Sequence, residues 1–134
     1  MTCQKIYEEA MNILGESVEN GDNEDLEERA SYLLASFCVE MTELNRALLP
    51  ASEEEDEGRM TAAFDVTYLP LEAEFPLVDR LTAPACLYLA SMLMIDEDPA
   101  LSDRLYDRYC DSVATICSSI PASVERITDR YGWN

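Results

Sequence analysis

Apolar side chains recur at three- and four-residue spacing over most of this chain, which is the signature of amphipathic helices. Over residues 4–19, Ile6, Tyr7, Ala10, Met11, Ile13, Leu14 and Val18 follow that period, with glutamates on the other side. Asn20-Gly21-Asp22-Asn23 reads as a stop and a restart. Gly21 suits a left-handed cap, and Asp22 or Asn23 can accept the free amide hydrogens of the next helix. That second helix is expected from about 24 to 49. Leu26, Ala30, Leu33, Leu34, Phe37, Met41, Leu44 and Leu48 form one long stripe, and acids fill the first turn, where the positive dipole end favours them.

Pro50 ends this pattern, and Glu53 to Glu57 are five consecutive acids. Their mutual repulsion predicts a solvated loop over 51–58. The run lacks the alternating oxygen ligands, central glycine and closing glutamate of a calcium-binding EF-hand loop. Residues 59–77 then form an irregular or extended arm. Phe64, Val66 and Tyr68 alternate with Asp65 and Thr67, and Pro70 and Pro76 bracket a short extended piece. The arm either packs back on the helices or meets a neighbouring subunit.

A third helix is expected from Thr82, as cap, to Ile95, with Pro84 in the first turn, where a missing N–H costs nothing. Ala85 to Ile95 is apolar nearly all round, so this helix is central in the fold or covered by another chain. Asp98 and Pro99 open a fourth helix over about 99–118. Leu101, Leu105, Tyr109, Val113 and Ile116 line one face, while Asp103, Arg104, Asp107, Arg108 and Asp111 offer ion pairs on the reverse. A short last helix over 123–131 follows Pro121. Trp133 beyond it either tucks onto the bundle or docks on a partner. The expected fold is therefore all-α: one domain over 1–134, a bundle of four to five helices with one long connection at 59–77.

Charge changes the picture of partners. The chain holds 28 acidic and 9 basic residues, a net charge of −19. Residues 1–60 carry 16 acids and 4 bases, and residues 61–134 carry 12 and 5. Affinity for nucleic acid comes mainly from Lys and Arg on phosphates, so direct binding to DNA or RNA is not expected; nor is binding to an anionic membrane. Eight of the nine bases are arginine, which most simply offset neighbouring carboxylates. The start lacks the basic and apolar regions of a signal peptide, and the longest apolar run, Ala83 to Ile95, is too short to span a bilayer. A cytoplasmic protein is expected.

Candidate chemistry is sparse. There is no histidine, which excludes serine–histidine and cysteine–histidine hydrolases, histidine metal sites and the ExxH pairs of di-iron bundles. The four glycines form no phosphate-cradling loop. The five cysteines form no CxxC, so they read as reduced thiols, mostly buried as small hydrophobes. No carboxylate pair is singled out by an apolar setting. The expectation is a non-enzymatic protein with no cofactor and no metal.

The stretch from Glu74 to Tyr109 runs Glu-Phe-Pro-Leu-Val-Asp-Arg-Leu, then Ala-Pro-Ala-Cys-Leu-Tyr-Leu-Ala-Ser-Met-Leu-Met, Asp-Glu-Asp-Pro and Leu-Tyr-Asp-Arg-Tyr. It resembles head–tail connector (head completion) proteins of tailed bacteriophages and prophages. Those pair an apolar helix, an acidic Asp-Pro break and an amphipathic helix with spaced tyrosines. The resemblance implies a virion protein that joins its own copies into a ring and meets portal or tail proteins. The candidate interaction residues are then Phe64, Val66, Tyr68, Leu69, Leu71 and Phe75 on the arm, Tyr88 and Met92 on the apolar helix, and Trp133. The alternative is an acidic mimic of DNA that occupies a basic site on a host nuclease or regulator.

Overall fold

A computed structural model of the chain describes residues 1–15, 24–49 and 67–120. The expected turn at 20–23, the acidic loop, the arm before residue 67 (with Phe64 and Val66), the last helix and Trp133 lie outside the described residues. Within them the protein is mainly helical, as the periodicity predicts. Five α-helices follow in order: α1 (Cys3–Leu14), α2 (Glu24–Glu40), α3 (Thr42–Leu48), α4 (Thr82–Leu93) and α5 (Pro99–Cys117). A 3₁₀ turn, Asp79–Leu81, leads into α4. There is no strand among the described residues, only one antiparallel bridge between Thr2 and Glu74.

α4 is the central element. It packs most extensively on α5, then on α1 and α2. Ala85, Leu89, Ala90 and Ser91 have no exposed surface, and of the helix only Ala83 is exposed. α4 and α5 form an antiparallel-type hairpin clamped by two serines. The Ser91 hydroxyl donates to the Ser102 carbonyl at 3.2 Å, and the Ser102 hydroxyl donates to the Ser91 carbonyl at 2.9 Å. Both serines are buried, so the reciprocal pair satisfies groups that would be costly to leave unpaired.

An aromatic cluster fills one side of α4. Phe37 of α2 lies 5.5 Å from Tyr88, 6.2 Å from Tyr109 and 6.3 Å from Phe75, centroid to centroid. The Phe75 ring stacks on Phe37, the Tyr88 ring is tilted and the Tyr109 ring is edge-on, arrangements that aromatic pairs favour at these separations. Phe37 therefore joins α2, α4, α5 and the arm in one contact set.

Helix ends follow local chemistry. Thr2 caps α1, its hydroxyl accepting from the Lys5 amide at 3.3 Å. α1 stops at Leu14, earlier than the apolar spacing predicts, because Gly15 takes a left-handed conformation (φ 79°) and returns its amide to Asn12. The expected single helix over 24–49 is broken at Met41. Thr42 there turns its hydroxyl back on the carbonyls of Cys38 (3.1 Å) and Val39 (2.9 Å), a competitor for the helical ladder. Thr82 does not cap α4: its hydroxyl donates to the Asp79 carbonyl at 2.7 Å, inside the 3₁₀ turn, and Leu81 holds the cap position. Asp98 does cap α5, accepting from the Leu101 amide at 3.1 Å, with Pro99 in the first turn.

Truncation of Phe37 tests this core. Phe37→Ala is expected to lower the unfolding free energy in urea by about 3–5 kcal/mol. Val39→Ala, two residues on and 51% exposed, is expected to change it by less than about 0.5 kcal/mol. Equal losses would contradict the placement of α2.

Candidate protein-interaction surface

The arm closes on the helices through sequence-distant hydrogen bonds. The first amides of a helix have no internal partner. Here the Cys3 amide donates to the Ala73 carbonyl (3.0 Å) and the Gln4 amide to the Leu71 carbonyl (2.7 Å). The Phe75 amide donates to the Met1 carbonyl at 2.9 Å and the Leu69 amide to Ser31 of α2 at 3.0 Å. The Val78 amide donates at 2.8 Å to the side-chain oxygen of Asn45, which is 1% exposed on α3.

This stitching sets the side-chain phase of the arm. Leu69, Leu71, Phe75 and Leu77 turn inward, and Tyr68, Pro70, Glu72 and Glu74 turn outward. Of the nine candidate interaction residues, Leu69, Leu71 and Phe75 (8% exposed each) and Tyr88 (6%) belong to the protein's own core. They offer no surface to a partner while the fold is intact. Over 67–78 the arm thus packs back on the bundle, and the apolar helix is central. Met92 is half-buried. Tyr68 alone of the nine is exposed among the described residues, its ring edge-on to Tyr32 of α2 with centroids 5.0 Å apart. Tyr32 was not singled out by periodicity. The signal for it was present, since it falls off the Ala30–Leu34–Phe37 stripe.

Beside Tyr68 opens a cleft of about 350 Å³. α1 contributes Gln4; α2 contributes Glu24, Glu27, Glu28 and Ser31; the arm contributes Tyr68, Leu71 and Glu72. Its walls are therefore carboxylates from two separate elements over a small apolar floor. Between described residues, ion pairs form only at Glu43 with Arg46 (3.1 Å) and at Glu74 with the N-terminal amine (3.5 Å). The cleft glutamates have no such partner among the described residues.

Among the described residues, two arginines bond to oxygens that are not carboxylates. Arg29 donates to the Met92 carbonyl at the end of α4 (3.3 Å), where the dipole favours a cation, and Arg80 donates to the Ser119 hydroxyl (3.0 Å). No ion pair forms on the outer face of α5 among the described residues.

The thiols divide into two classes. Cys3, Cys38 and Cys86 are buried, and Cys110 and Cys117 are exposed on α5. Burial pushes the Cys3 thiol up from 9.0 to about 11, with Glu74 adding to the effect. It pushes Cys38 to about 12, with Cys3 adding to it. Cys86 is pushed to about 12 by burial and by its hydrogen bond to Glu9, in which Sγ donates to Oε2 at 3.3 Å. Burial, with Glu40 nearby, also raises the Tyr109 phenol.

Thiolate is the reactive form, so at pH 8 two of the five thiols, Cys110 and Cys117, should react rapidly with a disulfide reagent in the native protein. The remaining three should react only on unfolding. The raised thiols bind protons more tightly in the folded state than in the unfolded one. Their contribution is full below pH 9 and is lost as pH rises toward 11–12, so the melting temperature should fall above pH 9. Five equally fast thiols, or a melting temperature unchanged to pH 11, would contradict this placement.

No helix among the described residues is long and apolar enough to cross a membrane. No family model, curated protein or solved structure matches the chain, so the reading of its function rests on the geometry and the residues.

Proposed function

We propose that this chain is a non-catalytic, helical binding protein whose acidic outer surface engages a basic site on another protein, as a mimic of nucleic acid would. The observation that carries this reading is a division of roles. Among the described residues, Leu69, Leu71, Phe75 and Tyr88, which would readily serve assembly, fill the core, whereas the carboxylates are largely exposed and form few ion pairs. An outward field of one sign attracts a partner of the other sign and speeds encounter. It also opposes close packing of like copies.

The assembly reading, a phage head–tail connector that forms rings with itself and meets portal or tail proteins, stands on the resemblance of Glu74–Tyr109. It needs apolar surface for its ring contacts. Tyr32, Val39, Ile95 and Tyr106 remain exposed for that purpose. The two readings make opposite forecasts.

Light scattering across concentration, with and without a basic DNA-binding protein, separates them. The mimic reading expects a monomer or dimer alone and a stoichiometric complex with the basic protein. It further expects the affinity to fall by about tenfold or more between 50 and 200 mM salt, because the contacts are screened. Rings at micromolar concentration with no affinity for basic protein would overturn it.

A further inference from the structure

The cleft between α1, the start of α2 and the arm has features that general acidity does not explain. Glu24 and Glu27 have a local reason to be where they are, because they lie in the first turn of α2, at its positive end. Glu28 lies outside that turn and Glu72 sits on the arm, yet both converge on the same concavity. Ser31 lines the cleft and is 2% exposed, and its hydroxyl makes no hydrogen bond among the described residues. At the rim, Tyr68 (43% exposed) and Tyr32 (52%) present a T-shaped aromatic pair.

Carboxylates that can accept from a planar fork, a serine oxygen and an aromatic edge match the chemistry of a guanidinium group. No group of His, Cys, Asp or Glu among the described residues is placed to hold a metal. A volume of about 350 Å³, open to solvent, admits extended side chains entering from outside.

From this arrangement we infer that the cleft of Glu27, Glu28, Ser31, Tyr68 and Glu72 is the docking site for an arginine-bearing segment of the protein partner. The inference rests on the proposed acidic-surface function and locates it. One guanidinium sits between Glu28 and Glu72 with the Ser31 hydroxyl accepting from it, and a second lies over the Tyr68 ring. Lysine fits less well, since a compact ammonium offers no bidentate fork and stacks poorly on an aromatic ring.

The test is fluorescence anisotropy on the full chain with a short dye-labelled peptide of alternating Arg and Gly, and with its Lys counterpart. The double variant Glu28→Gln, Glu72→Gln removes two charges from the cleft. Asp103→Asn, Asp107→Asn removes two from the far face of α5. All four positions are exposed, so both doubles should fold, which circular dichroism checks. The cleft double is expected to weaken Arg-peptide binding by about fivefold or more, and the α5 double by less than about twofold. Tyr68→Leu is expected to erase the preference for Arg over Lys.

Equal weakening by both doubles overturns the cleft assignment and leaves the acidic-surface function standing. So does binding of an intact basic protein with none of the peptide. Displacement of the peptide by stoichiometric calcium overturns the assignment by making the cleft a cation site. Failure to bind either peptide or basic protein at low salt removes the function itself.

Discussion

Thr82–Leu93 carries no charged side chain, and a helix of that kind must be sheathed on all sides or leave a large apolar patch in water. α5 covers one side and is locked by the Ser91–Ser102 pair, α1 and α2 cover two more, and the arm adds Leu69, Leu71, Phe75 and Leu77 to the same core. A buried leucine or phenylalanine contributes roughly 1.5–3 kcal/mol by leaving water. Among the described residues, the buried apolar side chains gather around this helix.

That arrangement shapes what remains for function. Leu69, Leu71, Phe75 and Tyr88 are inside, Tyr32, Val39, Tyr68, Ile95 and Tyr106 stay exposed, and the carboxylates form few ion pairs among the described residues. The arm plays two parts at once. Its inward side chains complete the core, and its carbonyls at Leu71 and Ala73 take up the free amides at the start of α1. Its outward side chains, Tyr68 and Glu72, then stand against the acidic start of α2 and make the cleft wall. Core, helix cap and candidate site are thus joined by one extended segment.

Helical periodicity made much of the fold legible. The stripe of α2, the apolar character of α4 and the Asp98-Pro99 start of α5 all follow from local rules that act within a few residues. The misread features depend on other information. Gly15, four residues short of the expected end at 19, shows that one left-handed glycine can end a helix whose apolar spacing would carry it further. The hydroxyl of Thr42 decides the break at Met41, and its direction is not written in any period. The phase of the arm is set by amides and carbonyls far away in the chain, on α1, α2 and α3. Alternation is visible there, but it does not say which side meets the core. The cleft was illegible for the same reason: Glu72 and Glu28 meet only once the arm has closed.

The claim at the centre of this account is that α4 is the interior axis on which α1, α2 and α5 pack. Native-state hydrogen exchange reads it directly, because amides that open only with global unfolding exchange slowest. The amides of Tyr88 to Leu93 should be the slowest of the described residues, and their exchange free energy should equal that of global unfolding. Exchange of these amides at the rate of the exposed face of α5, or protection that appears only at high protein concentration, would contradict it.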